Sequence, residues 1–164
     1  MSLTPRRIAC LSAEAADWLW RIGAWECVVG TTAFFKAPPN VAPKPHISGF
    51  STAQFEELAD LKPDLIITFS DVQAPLAAEL MRRGFAVLAT NQRTLAEIEA
   101  TLAMLGRIVG CVTEAERWLN EFRKRLEPAK DAKLRPRVYF EEWNDPLIAG
   151  IAWVSELIER RASI

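Results

Sequence analysis

Residues 55–68 read Phe-Glu-Glu-Leu-Ala-Asp-Leu-Lys-Pro-Asp-Leu-Ile-Ile-Thr, an amphipathic helix, a tight turn and a buried strand run together without a spacer. Phe55, Leu58, Ala59 and Leu61 recur at helical spacing, and Pro63 cannot continue a helix because it has no N–H and a fixed φ. Leu65-Ile66-Ile67 then reads as a strand covered on both faces, the habit of a parallel sheet with helices above and below it. A chain built around this unit is held to an α/β lobe.

The alternation extends in both directions. Apolar spacing predicts strands over 7–11, 27–31, 65–69 and 86–89, and helices over 13–22, 52–61 and about 72–83, with a loop from the second strand to Gly49. Ser12 and Ser51 stand where helix N-caps belong, and Gly84 where a helix stops. Strands alternating with helices predict a mainly parallel sheet with helices on both faces. From Thr94 to about Leu126 there is no proline, and Leu95, Ile98, Leu102, Leu105, Leu119 and Phe122 fall on a helical stripe. The pattern predicts one long helix, or a helix with a bend, roughly 50 Å long at 1.5 Å per residue. Gly106 and Gly110 are the places for a bend or a close helix approach. Pro128 then ends the helix, a polar linker covers 130–136, a strand covers 137–140 and a final helix covers 153–160.

With 164 residues, half of them hydrophobic, the chain can bury one full core but not two lobes. Its net charge is −1 with acids and bases interspersed, which argues against a nucleic-acid face. Arg82-Arg83 and Arg123-Lys124-Arg125 read as solvated cations on helix surfaces or near helix C-termini. Cys10, Cys27 and Cys111 are odd in number and widely spaced, and His46 is the sole imidazole, so no metal site is expected. Gly-x-Gly-x-x-Gly, Walker and Gly-x-Ser-x-Gly patterns are absent. No apolar run reaches membrane-spanning length, and Met1 to Arg7 carries no apolar leader core.

Several segments in a fixed order resemble one family, the solute-binding proteins of ATP-binding-cassette importers for cobalamin, siderophores and haem. They are Arg7 to Ser12 with Glu14, Ile22-Gly23-Ala24 before Val28-Val29-Gly30, Pro38-Pro39, Pro45 to Phe50, and Lys62-Pro63-Asp64. Val138 to Trp143, Asp145-Pro146-Leu147 and Trp153-Val154 resemble the cobalamin-binding branch in particular. The resemblance implies a Rossmann-like parallel-sheet lobe over 1–93, a long connecting helix over 94–127 and the start of a second α/β lobe over 128–164. It thus predicts a chain that stops partway into its second lobe, by natural truncation or by trimming.

The same resemblance carries functional expectations. Phe34, Phe50 and Phe69 match cleft aromatics, where cobalamin-binding relatives carry Tyr or Trp, although any one taken alone reads rather as a core filler. Trp143 and Glu142 would face the same cleft from the second lobe, and Glu56 matches a glutamate that docks the first lobe onto arginines of the membrane permease. The implied cargo is cobalamin or a related corrinoid, with ferric siderophore or haem as the alternative, and no resident cofactor or catalytic residue is implied. The implied location is periplasmic or membrane-anchored outside the cytoplasm, although the missing leader leaves a cytoplasmic protein open. Exposed Tyr139, Trp143 and Trp153 would favour a homodimer of the short form. Two other readings compete. One is a small α/β enzyme with Glu141 or Glu142 as general base, weakened because strand alternation puts the two on opposite faces; the other is a cytoplasmic interaction module.

Overall fold

The centre of the sheet is a strand with no solvent face. In the computed structural model, which describes residues 4–127 and 137–162, β1 (Ile8–Cys10) is buried at every residue. It pairs in parallel with β2 (Val28–Thr32) on one side and β4 (Leu65–Phe69) on the other, Ile8 lying opposite both Val28 and Leu65. With β3 (His46–Ser48) and β5 (Val87–Thr90) the order is β3-β2-β1-β4-β5, all parallel. Strand alternation splits the apolar residues between two cores. Ile8 and Cys10 pack with Ala16 and Leu19 of α1 (Ala13–Arg21), and Ala9 and Leu11 pack with Leu58 of α2 (Phe55–Asp60) and Leu80 of α3 (Ala74–Arg82).

The turn that opened the sequence argument is tied to the start of β1. Asp64 accepts the N–H groups of Arg6 and Arg7 at 2.7 and 3.0 Å, and the Arg7 guanidinium donates to the carbonyls of Leu61 and Lys62. Arg7 thereby satisfies carbonyls left open at the end of α2. Within the expected loop to Gly49 the chain instead forms β3, whose Ile47 is fully buried.

The expected long helix is corrected. The segment folds as two helices, α4 (Leu95–Ile108) and α5 (Val112–Leu126), with Gly110 at φ +77° between them. A left-handed residue cannot propagate a helix, and Cys111 donates back to the Gly106 carbonyl at 2.8 Å to close the end of α4. Gly106 touches Ala115 near the turn, and Glu99 pairs with Arg123 at 2.7 Å further out, so the two helices run antiparallel. Leu105 and Leu119 of the pair join the core on the α1 face.

The expected strand over 137–140 is not formed; no described strand lies beside it to complete a ladder. A short hairpin follows, β6 (Trp143–Asn144) with β7 (Leu147–Ile148), and then α6 (Ala152–Ala162). The linker over 130–136 and the stop at Pro128 lie outside the described residues. Trp153 donates its N–H to the Arg93 carbonyl, and Glu156 accepts the Leu95 N–H at 2.8 Å, so α6 caps the start of α4.

Thr94 and Glu97 form a capping box at that start. The N–H groups of Arg93 and Thr94 hold the Glu97 carboxyl below its ordinary value of 4.5. Glu79 and Glu121 are held down likewise, by Arg82 with Arg83 and by Lys124. Each native carboxyl binds fewer protons than its unfolded counterpart, so its contribution is present above pH 4.5 and lost as pH falls through the lowered value. Thermal midpoints should therefore drop on acidification below that point. Glu97→Gln, which can still accept from the backbone, should flatten the drop.

Candidate functional site

The carboxyl ends of the five strands form one edge, and a side chain wedges it open between β1 and β4. Leu11 donates its N–H to the Ile67 carbonyl at 2.8 Å, but one step on the Phe69 N–H goes to Oε1 of Gln73 at 2.9 Å. Nε2 of the same amide donates to the Leu11 carbonyl at 3.2 Å and to the Phe50 carbonyl at 2.6 Å. Gln73 therefore stands in for a missing rung of the ladder while reaching across to the segment after β3, and it is only 3% exposed. This is also where the chain's direction of travel reverses, because α1 leads from β1 to β2 whereas β4 lies on the opposite side of β1. Crevices at such switch points are the usual ligand sites of parallel sheets.

The preceding turn is strained. Ser70, at φ +66° and ψ 163°, occupies a backbone region suited to glycine, held there by its N–H bond to the Thr90 carbonyl and by its Oγ accepting from Val72.

Two of the three expected aromatics come together. Phe34, after β2, and Phe50, after β3, meet edge to face with centroids 6.3 Å apart, and they are 65% and 54% exposed. The neighbour Phe35 is the core filler, packed on Trp25 at 5.5 Å. Thr32 ties the two loops by donating to the Ser48 carbonyl. Phe69 is half-buried and turns instead into a groove of about 580 Å³ between α1 and the α4–α5 hairpin. Trp18, Trp118, Phe122 and Trp153 share that groove.

Trp143 is 60% exposed on the hairpin and donates its indole N–H to the Asp145 carbonyl. Glu142 is exposed beside it and donates its backbone N–H to Ile148. Neither lines the groove that holds Phe69. Glu56 is exposed in the first turn of α2, where a carboxylate favours the helix dipole. Glu141 is exposed and accepts from the Tyr139 hydroxyl.

Chemical groups other than aromatics are sparse here. Burial pushes the Cys10 thiol up to about 12, with Glu14 adding to it, so it is no thiolate at neutral pH. No group of three or more potential metal ligands occurs among the described residues. Nor is any described helix long and apolar enough to cross a membrane. Burial raises the Glu14 carboxyl at the rim of the groove, despite hydrogen bonds from its own backbone and from Ser12. Sequence reasoning missed Gln73 and Glu14 as site-edge residues; the one signal for Gln73 was a lone amide four residues beyond the end of an apolar strand.

Comparison with known proteins supplies the context of this edge. The chain is 29% identical over 145 residues to a cobalamin-binding protein of Halobacterium salinarum, covering 83% of this chain and 39% of that protein. It is 26% identical over 157 residues to a vitamin B12-binding protein of Vibrio cholerae, covering 92% of this chain and 57% of that protein. The chain thus spans about half the length of the curated relatives it matches. Among solved structures it superposes on a possible iron-binding, periplasmic solute-binding protein of Staphylococcus epidermidis with a TM-score of 0.73 at 21% identity, over 87% of this chain and 58% of that one. The periplasmic binding protein profile matches residues 8–164, and the chain belongs to that family.

Proposed function

We propose that this chain supplies the first wall of the solute site in an importer's binding protein, and that the solute is cobalamin or a related corrinoid. The observation that carries the reading is the solvent-facing Phe34–Phe50 pair at the carboxyl edge of the sheet. Two large rings held open to water cost apolar exposure that a monomeric surface normally avoids, and a broad, partly apolar macrocycle would cover them. The names of the cobalamin-binding and vitamin B12-binding relatives support the choice of cargo. On this reading the protein holds and releases its solute without bond chemistry, works outside the cytoplasm, and hands the solute to a membrane permease. Glu56 is the contact we assign to that permease from the first lobe, and Trp143 with Glu142 would meet the solute from the second.

Calorimetric titration with cobalamin, haemin and a ferric siderophore tests the choice of cargo. Cobalamin should bind tightest, in roughly the micromolar to sub-millimolar range for a site with one wall. Equal or tighter binding of haemin or the siderophore would move the assignment to that ligand class.

A further inference from the structure

We propose that Gln73 is a positioning residue of the solute site: through one buried amide it fixes where the rings of Phe50 and Phe69 stand, and through Phe50 that of Phe34. The inference rests on the reading of this edge as the first wall of that site, and it adds the residue that keeps the wall in shape. A glutamine amide has two N–H groups and one oxygen to place, and here all are used. Nε2 donates to the carbonyls of Leu11 and Phe50, and Oε1 accepts the N–H of Phe69. Turned over, the amide would set its oxygen against two carbonyls and its N–H groups against a third N–H, so a single orientation satisfies these partners. Gln73 is buried, and water cannot take its place.

The amide is itself held from both sides. On one side the end of β4 is tied to β5, where the Thr90 hydroxyl donates to the Thr68 carbonyl at 3.0 Å and the Ser70 N–H to the Thr90 carbonyl at 2.8 Å. The left-handed Ser70 then turns the chain into a short helical turn over Asp71–Gln73, which returns residue 73 to the gap between β1 and β4, its N–H donating to the Ser70 carbonyl at 3.2 Å. The strain at Ser70 thus has a use. On the other side the Ala33 N–H and the Thr32 hydroxyl both donate to the Ser48 carbonyl, joining the loops that carry Phe34 and Phe50. Among the described residues no hydrogen bond other than that from Gln73 joins segment 49–54 to β4 or to the turn after it. Rings as exposed as Phe34 and Phe50 have little packing to locate them, so the backbone anchors decide where they stand, and a wall already in place spares the solute the cost of ordering it.

Two measurements on Gln73→Leu and Gln73→Glu, made well below their thermal midpoints, test the role. The first needs no solute. Nuclear Overhauser contacts between the rings of Phe34 and Phe50 should be lost in both variants, while those between the core rings of Trp25 and Phe35 persist. The second is a cycle of cobalamin titrations with Gln73→Glu, which keeps an acceptor for Phe69 and removes the donor to Phe50. It should weaken cobalamin at least about tenfold in the otherwise unaltered chain but no more than about threefold when Phe34 and Phe50 are already alanine, because Gln73 acts through those rings. Ring contacts that survive both substitutions, loss of the core contacts together with the exposed ones, or an equal loss of affinity in both backgrounds would each overturn the positioning role. No binding by the unaltered chain would instead overturn the cobalamin reading, and the ring contacts would still decide what Gln73 does.

Discussion

Gly106→Val should destabilise the protein by about 3 kcal/mol and lower its thermal midpoint by roughly 6 to 12 °C. A Cβ at Gly106 would lie 2.5 Å from the Cβ of Ala115, which is 2% exposed and has no longer side chain to swing aside. The α4 and α5 backbones must separate to admit it. Separation would also pull Leu105 and Leu119 from the core they share with α1. A smaller test isolates the contact: Gly106→Ala should cost less, and adding Ala115→Gly should recover more than additivity allows. Chemical denaturation of the four proteins in that cycle checks it, and strict additivity would show that the helices do not touch there.

Gln73→Leu should cost about 3 kcal/mol and loosen the carboxyl edge as well. Leucine is close in size but leaves the Phe69 N–H without its acceptor and the Leu11 and Phe50 carbonyls without their donor. Buried backbone groups without partners are among the costlier defects a point change can make. Gln73→Glu separates shape from bonding. The carboxylate keeps an acceptor for Phe69 but cannot donate to the two carbonyls, so this variant should also be destabilised at neutral pH. Amide hydrogen exchange gives the local readout: Phe69 should lose protection in Gln73→Leu and retain more of it in Gln73→Glu.

These two positions mark where the sequence was readable and where it was not. The strand beside the centre of the sheet, β4, was legible in Leu65-Ile66-Ile67, because a strand covered on both faces must be apolar at every residue rather than at alternate ones. The break at Gly110 was legible only as a possible bend. Apolar spacing of three and four continues through 109–112, and a hairpin differs from a bent rod by a single left-handed residue. Gly106 looked equivalent in the sequence, yet it stays helical and serves close approach. The strand His46–Ser48 was hidden by its three-residue length between Pro45 and Gly49. Gln73 was beyond sequence reasoning because its role exists only once β4 lies beside β1. Of the aromatics, Phe34 and Phe50 lie exposed in contact beside the ends of β2 and β3, and Phe69, the last residue of β4, lines the groove between α1 and the α4–α5 hairpin. Residues 137–140 carry a strand's composition without a neighbour to pair with among the described residues.

The most direct test of the account compares cobalamin titrations of the unaltered chain with those of a Phe34→Ala, Phe50→Ala double variant. Both rings are more than half exposed, so their removal should leave the fold's thermal midpoint nearly unchanged. The account predicts that cobalamin binds the unaltered chain and loses at least about tenfold in affinity to the double variant. Undiminished binding by the double variant, or none by the unaltered chain, would contradict the assignment of this edge as the first wall of a corrinoid site.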